Sequence, residues 1–368
     1  MSRSTPAPRL TIAGGGWIVL VGMALIAALL VWAFAGVVQG RSRMGDGRDP
    51  ASYGFDLDGL RVDRRSLSGS GQPRDVFLPL DSPEVVDGRD VFERNKEVRR
   101  KLAVNDDRVL GVVIGGEARA YPLRILNAHE VVNDEIAGEP VAVTYGGLCD
   151  SALVFRRTIA GSVRRFGVSG LLVDSNLVMY DLDAPTPSLW SQLGMRAISG
   201  PLAGTALEPV DGVSITTWAA WLAAHPGTTL ALGDPRSKRR YDSISYSRYF
   251  LERSLRFPVL APPDEQSLGR DGLHLKSPMV AIRLGDAWKI VSIESLVSLL
   301  GRQGRGGVRI DGSLVRAQVS ADPAGAMIED PQGRPLLTVP CLWFAWHAFH
   351  PGATPAAVTA ESSKTPEP

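Results

Sequence analysis

Between Arg9 and Arg41 the chain carries no charged side chain, and this stretch constrains the fold more than any other feature. Its centre, Trp17 to Val38, is 22 residues of almost wholly apolar sequence. About 20 helical residues, each rising about 1.5 Å, cross a hydrocarbon core about 30 Å thick. Residues 17–38 therefore read as one transmembrane helix with the membrane as its partner, and Trp17 and Trp32 suit the two interfaces. Ala33-Phe34-Ala35 offers a cleavage triplet behind a basic region made by Arg3 and Arg9, yet the apolar run is long for a cleaved signal. Arg41, Arg43 and Arg48 on the far side nearly cancel the positive-inside bias. The expectation is an uncleaved anchor over 1–40 that holds the body on the extracytoplasmic side, periplasmic or extracellular.

The remainder needs a core, and a chain 44% hydrophobic and 21% charged has the material for one. With 40 basic against 39 acidic side chains there is no electrostatic footprint for nucleic acid, which argues against that class of partner. Cys149 and Cys341 are too few for a disulfide-built scaffold, although an oxidising compartment would permit one bridge. The five histidines leave little for a multi-histidine metal site.

Residues 41–104 read as a linker and irregular extension, punctuated by turns at Gly69–Pro73 and Asp81–Pro83. The pattern then becomes β-rich. Val109–Ile114 and Ala118–Leu123 flank Gly115-Gly116-Glu117, which signals a hairpin, and spacing near 3.6 over 123–132 predicts a short helix carrying His129. The grammar recurs: Met279–Leu284 and Ala287–Ile293 flank Gly285-Asp286, and a helical stretch runs from Glu294 to Leu300. Ala220-Trp221-Leu-Ala-Ala-His225-Pro-Gly and Ala345-Trp346-His-Ala-Phe-His350-Pro-Gly share a second pattern. An α+β fold is expected, mainly antiparallel β with short helices, built from two unequal internal repeats after one transmembrane helix. The boundaries are a first repeat over 105–235, a connector over 236–277, a second, shorter repeat over 278–354 and a disordered tail over 355–368. His225 and His350, each before Pro-Gly, read as helix-end residues, and Trp221 and Trp346 as core anchors.

Six motifs come in order: Ala120–Asn127, His129–Asp134, Val143–Cys149, Phe166–Leu172, Asn176–Asp181 and Ser188–Gln192. Together with Phe344–Pro351 they resemble a bacterial and archaeal family, domain of unknown function 3179, over roughly residues 50–354. The resemblance implies exported or membrane-attached proteins with a shared body, and no settled activity. Where the family pattern resembles T-Y-C-P-L-C, this chain reads Thr144-Tyr145-Gly146-Gly147-Leu148-Cys149, and Ala128 stands where the pattern has tryptophan.

With Gly146 in place of the first cysteine, dithiol redox and two-sulfur ligation are out at this turn. A metal site would have to combine Cys149, His129 and Met179, soft and imidazole donors that suit copper. Alternatively, Cys149 is a nucleophile with His129 as its base, oriented by Glu130 or Asn133, and the glycines free backbone N–H groups for an oxyanion. Glu130 and Asp134 at i, i+4 would raise one carboxyl if buried. Asn176, Tyr180, Trp190 and Gln192 are polar and aromatic groups of the kind that line ligand grooves. His129-Glu130-Val131-Val132-Asn133 lacks the second zincin histidine. Three readings stand: a ligand- or metal-binding module at His129 and Cys149, a cysteine-dependent enzyme there, or a scaffold without chemistry.

Overall fold

A computed structural model describes residues 44–264, 268 and 272–361, together with Trp17 and residues 21–29. The chain falls into two units, Met1–Met44 and Gly45–Pro368. In the first, Trp17 and residues 21–29 are helical, and the rest of the expected 17–38 span lies outside the described residues. Among the described residues no helix is long and apolar enough to cross a membrane. This corrects the expected transmembrane helix, and with it the membrane as partner and the anchored extracytoplasmic body. Crossing as a helix takes about 20 apolar residues helical together, and the described run over 21–29 is nine.

The second unit is α+β, mostly antiparallel with short helices. Strands β1 (Arg108–Ile114) and β2 (Glu117–Pro122) pair across Gly115 and Gly116, both at positive φ, as a two-residue hairpin turn requires. Both lie within a nine-stranded sheet. Helix α1 (Leu123–His129) follows β2 directly. It stops short of the expected 132 because Glu130 turns left-handed, at φ 58°, and β-branched Val131 and Val132 open strand β3 (Val131–Ile136). Strand β3 pairs with β4 (Glu139–Gly146), and β4 with β5 (Ser151–Arg156). Strands β6 (Phe166–Val173), β7 (Asn176–Asp181) and β8 (Leu189–Ser191) belong to a third sheet.

Helix α2 (Trp218–Ala224) precedes a connecting stretch that holds two short helices, α3 (Lys238–Ser243) and α4 (Ser247–Leu251). A second hairpin, β9 (Pro278–Leu284) and β10 (Ala287–Ser292), turns at Gly285-Asp286 and feeds α5 (Ile293–Leu300). Strand β11 (Thr338–Leu342) pairs with β9 and runs into α6 (Trp343–Phe349). Beyond it, Val358–Ala360 is a strand paired with Arg305–Ile310.

Helices α2 and α6 end alike. Trp221 and Trp346 are buried, and each lies against the histidine four residues on, with ring centroids 4.1 Å apart for Trp221–His225 and 3.9 Å for Trp346–His350. Burial holds both imidazoles below the usual histidine range, and His350 Nδ1 lies 3.2 Å from the Trp346 carbonyl at the helix end. One core joins early and late strands: Leu153, Met179 and Trp190 pack with Met279, Cys341, Trp343 and Trp346.

Candidate functional site

The polar groups gather where α1 ends and β4 turns into β5. His129 is buried at the last turn of α1, with Nδ1 2.7 Å from the Leu78 carbonyl and Nε2 2.7 Å from the Tyr241 hydroxyl. Nδ1–H donates to the carbonyl, and burial lowers the ring's pKa and favours the neutral form, in which Nε2 accepts from the phenol. Both nitrogens are spent.

Glu130 caps α1. Its backbone N–H donates to the Leu126 carbonyl, and its own carbonyl accepts from Tyr145 at 2.8 Å. The left-handed backbone of a non-glycine residue costs about 1–2 kcal/mol and persists only where its surroundings enforce it. The carboxyl meets the Tyr246 hydroxyl at 3.5 Å. Burial raises its pKa to about 7, with the Tyr246 hydrogen bond and the Arg240 charge pulling the other way. Asp134, expected as its helical partner, sits on β3 instead and bonds to Arg119 at 2.8 Å and the Tyr121 hydroxyl at 2.5 Å.

Across from this cap lies the turn 146–150. A side chain at Gly147 would overlap the Tyr246 ring, and a Cβ at Gly146 would come within 2.6 Å of Ser151 Oγ. Gly147 is therefore what lets Tyr246 close over the turn, while Gly146 leaves room for the polar side chains of Ser151, Gln192 and Asn176. Asp150 ends the turn, with Oδ2 2.7 Å from Arg108 and Oδ1 accepting from Tyr145 at 2.7 Å. Arg108 Nε is buried without a hydrogen-bond partner. Arg108, Arg124, Asn127, Tyr145 and Tyr246 line a cleft of about 170 Å³ above the turn, closed on the other side by residues 245–250.

Cys149 is fully buried and its thiol lies 3.3 Å from the Ser175 carbonyl, which it donates to. Burial pushes that thiol well above its ordinary pKa, so it stays protonated. Its carbonyl accepts from the Leu342 N–H at 2.8 Å, which sets Cys341 beside it; both cysteines are free. Cys149 and His129 share no hydrogen bond. Met179 and Cys149 sit in one apolar core. Among the described residues no three His, Cys, Asp or Glu side chains are placed to hold a metal ion. The expected metal-binding module is corrected on that ground: the imidazole nitrogens are taken, the Cys149 thiol is bonded to a backbone carbonyl, and Met179 lies in the apolar core.

Asn176 and Gln192 do come together. Asn176 Nδ2 donates to Ser151 Oγ at 3.0 Å and to Gln192 Oε1 at 2.9 Å, and Gln192 Nε2 donates to Thr144 Oγ1 at 2.9 Å. All four are buried, so the network fastens β4, β5, β7 and the end of β8 to one another. Trp190 is buried edge-on against Phe166, with centroids 5.6 Å apart. Tyr180 donates to Asp75 at 2.7 Å, under the Arg74 guanidinium.

Sequence reasoning missed Arg108 and the connector's tyrosines. Tyr241 covers His129 and Tyr246 covers Glu130 and Gly147, while Tyr249 packs under the Lys276 ammonium, 3.5 Å from its ring centroid. A signal was there: three of the chain's seven tyrosines fall at 241, 246 and 249, inside a stretch that otherwise read as a connector.

Fold and site together define an α+β body in which a tyrosine-bearing connector covers a helix end and a glycine turn. The chain belongs to the family described as protein of unknown function, domain of unknown function 3179, which it matches over residues 81–307, a shorter stretch than its motifs suggested. No curated protein and no solved structure matches it.

Proposed function

We propose that the protein is a small-ligand-binding module whose site is the cleft between α1 and residues 245–250, and that Glu130 exchanges a proton with the bound molecule. One observation carries the reading: a carboxyl raised to about 7 sits in a strained backbone beneath a phenol that also lines the cleft. Perturbed carboxyls and strained residues gather where binding or proton transfer needs them. A ligand that displaces the Tyr246 hydroxyl meets Glu130, and an oxygen on the ligand supplies the partner that Arg108 Nε lacks. A small carboxylic acid has both features.

Two observations weigh against the cysteine-dependent alternative. A nucleophilic thiol must ionise, and that of Cys149 is held protonated by burial; its base must have a free nitrogen, and His129 has none.

Ligand-observed NMR with a panel of small carboxylic acids tests the proposal. Binding to the native chain is expected to weaken as the pH rises through about 7, because ionised Glu130 repels a carboxylate. In Glu130→Gln that weakening disappears. A panel without a binder, or a pH dependence that the variant retains, contradicts the reading.

A further inference from the structure

A second cleft, about 900 Å³, opens where the chain beyond the helix Val91–Glu97 meets the start of α3. Six cationic side chains line it: Arg99, Arg100, Lys101, Arg124, Lys238 and Arg239. Only Glu84 and Asp242 oppose them. In a chain with 40 basic and 39 acidic side chains overall, this is local enrichment and not a reflection of composition.

Half of these cations are fixed. Arg100 pairs with Asp242 and donates to the Lys238 carbonyl, which ties the two cationic segments together. Arg124 donates to the carbonyls of Lys101 and Leu102, and Lys101 Nζ donates to the Asn95 carbonyl. Arg99, Lys238 and Arg239 are exposed and have neither ion pair nor side-chain hydrogen bond among the described residues. The framework is thus braced by three cations while three more stand unneutralised around one concavity. Beneath them the wall is apolar, with Ile125 and Ala231 buried, and Tyr241 is held in place through its hydroxyl by His129.

Like charges crowded over a low-dielectric wall focus a positive potential that only a counter-charge relieves. Guanidinium forks and ammonium groups on two facing segments match oxygens clustered on one molecule better than a single anion. The geometry points to this cleft as a binding site for a compact polyanion, a small molecule carrying at least two phosphate-type groups. The site is independent of the acid–base cleft, although Arg124 borders both and is for that reason not varied in the test.

The probe is inorganic tripolyphosphate, titrated calorimetrically into the full chain at low salt and at about 0.15 M ionic strength, where screening shortens to about 8 Å. One saturable site is expected, weakened by salt. The exposed, unpaired positions give variants that keep the fold: Lys238→Ala/Arg239→Ala is expected to bind about tenfold more weakly, from two lost charge-assisted contacts. Arg99→Glu weakens it further, and Arg302→Ala, outside the cleft, leaves it unchanged. Matched thermal melts confirm that each variant is folded. Absence of saturable binding at low salt, equal binding by all variants, or orthophosphate binding as tightly as tripolyphosphate overturns the inference.

Discussion

Helices α1 and α5 each follow a two-residue hairpin without an intervening loop, yet they treat local rules in opposite ways. Helix α5 obeys them: Ser292 caps its start by accepting from the Ser295 N–H, and Gly301 takes the positive φ at its end. Helix α1 breaks both. Pro122 precedes it with no side-chain cap, and a glutamate holds the left-handed position at its close. Around α5 the core is Val280, Ile282, Val291, Ile293 and Leu296, without a charge. Around α1 stand a histidine with both nitrogens bonded, a raised carboxyl and the Arg108–Asp150–Tyr145 cluster. Rules are broken where a fold has something besides stability to serve, and on this contrast we propose function at the first hairpin and packing at the second.

The largest effects test whether the two regions share a structural plan. Trp221→Ala and Trp346→Ala are each expected to cost about 3–5 kcal/mol in denaturant unfolding, since both rings are buried. Similar losses support treating 105–235 and 278–354 as unequal repeats, a reading we propose from the matching hairpins and Trp–His ends. A loss at one end alone breaks it.

The next effect separates the regions. Burial raises Glu130 from 4.5 to about 7, so the folded protein keeps this proton longer than the unfolded chain. Its contribution to stability is full below about 4.5, declines as the pH rises towards about 7, and is level above that. The slope from this group reaches at most about 1.4 kcal/mol per pH unit, and it should vanish in Glu130→Gln. A smaller effect sharpens the contrast at the backbone. Compared with Glu130→Gln, which also removes the charge, Glu130→Gly should stabilise by about 1 kcal/mol by relieving the left-handed strain, whereas Gly301→Ala should cost about as much. Smallest of all, Cys149 should resist maleimide labelling in the folded protein as fully as Cys341, and both should react on unfolding.

The hairpins were legible because Gly-Gly and Gly-Asp between apolar runs leave a chain few other choices. So were the Trp–His helix ends, where Pro-Gly stops the helix. Asn176 and Gln192 were singled out as groove-lining polar groups; their meeting in a closed, buried network depends on Thr144 of β4 and Ser151 of β5, which no local pattern pairs with them. Glu130 was visible as half of a helical pair and as a group to orient His129, but nothing local says that a glutamate will take a glycine's conformation. Its backbone there is bonded to Leu126 and to Tyr145, and its carboxyl meets Tyr246, 116 residues on. The apolar stretch misled because hydropathy measures what a helix would gain in a bilayer, and among the described residues no helix is long and apolar enough to cross one.

Carboxyl titration followed by carbon-detected NMR is the direct test of Glu130 as the proposed functional group of the first region. A midpoint near 7 is expected in the native chain. A midpoint at the ordinary 4.5 would mean a solvated carboxylate, and the site proposed here would lose its chemistry.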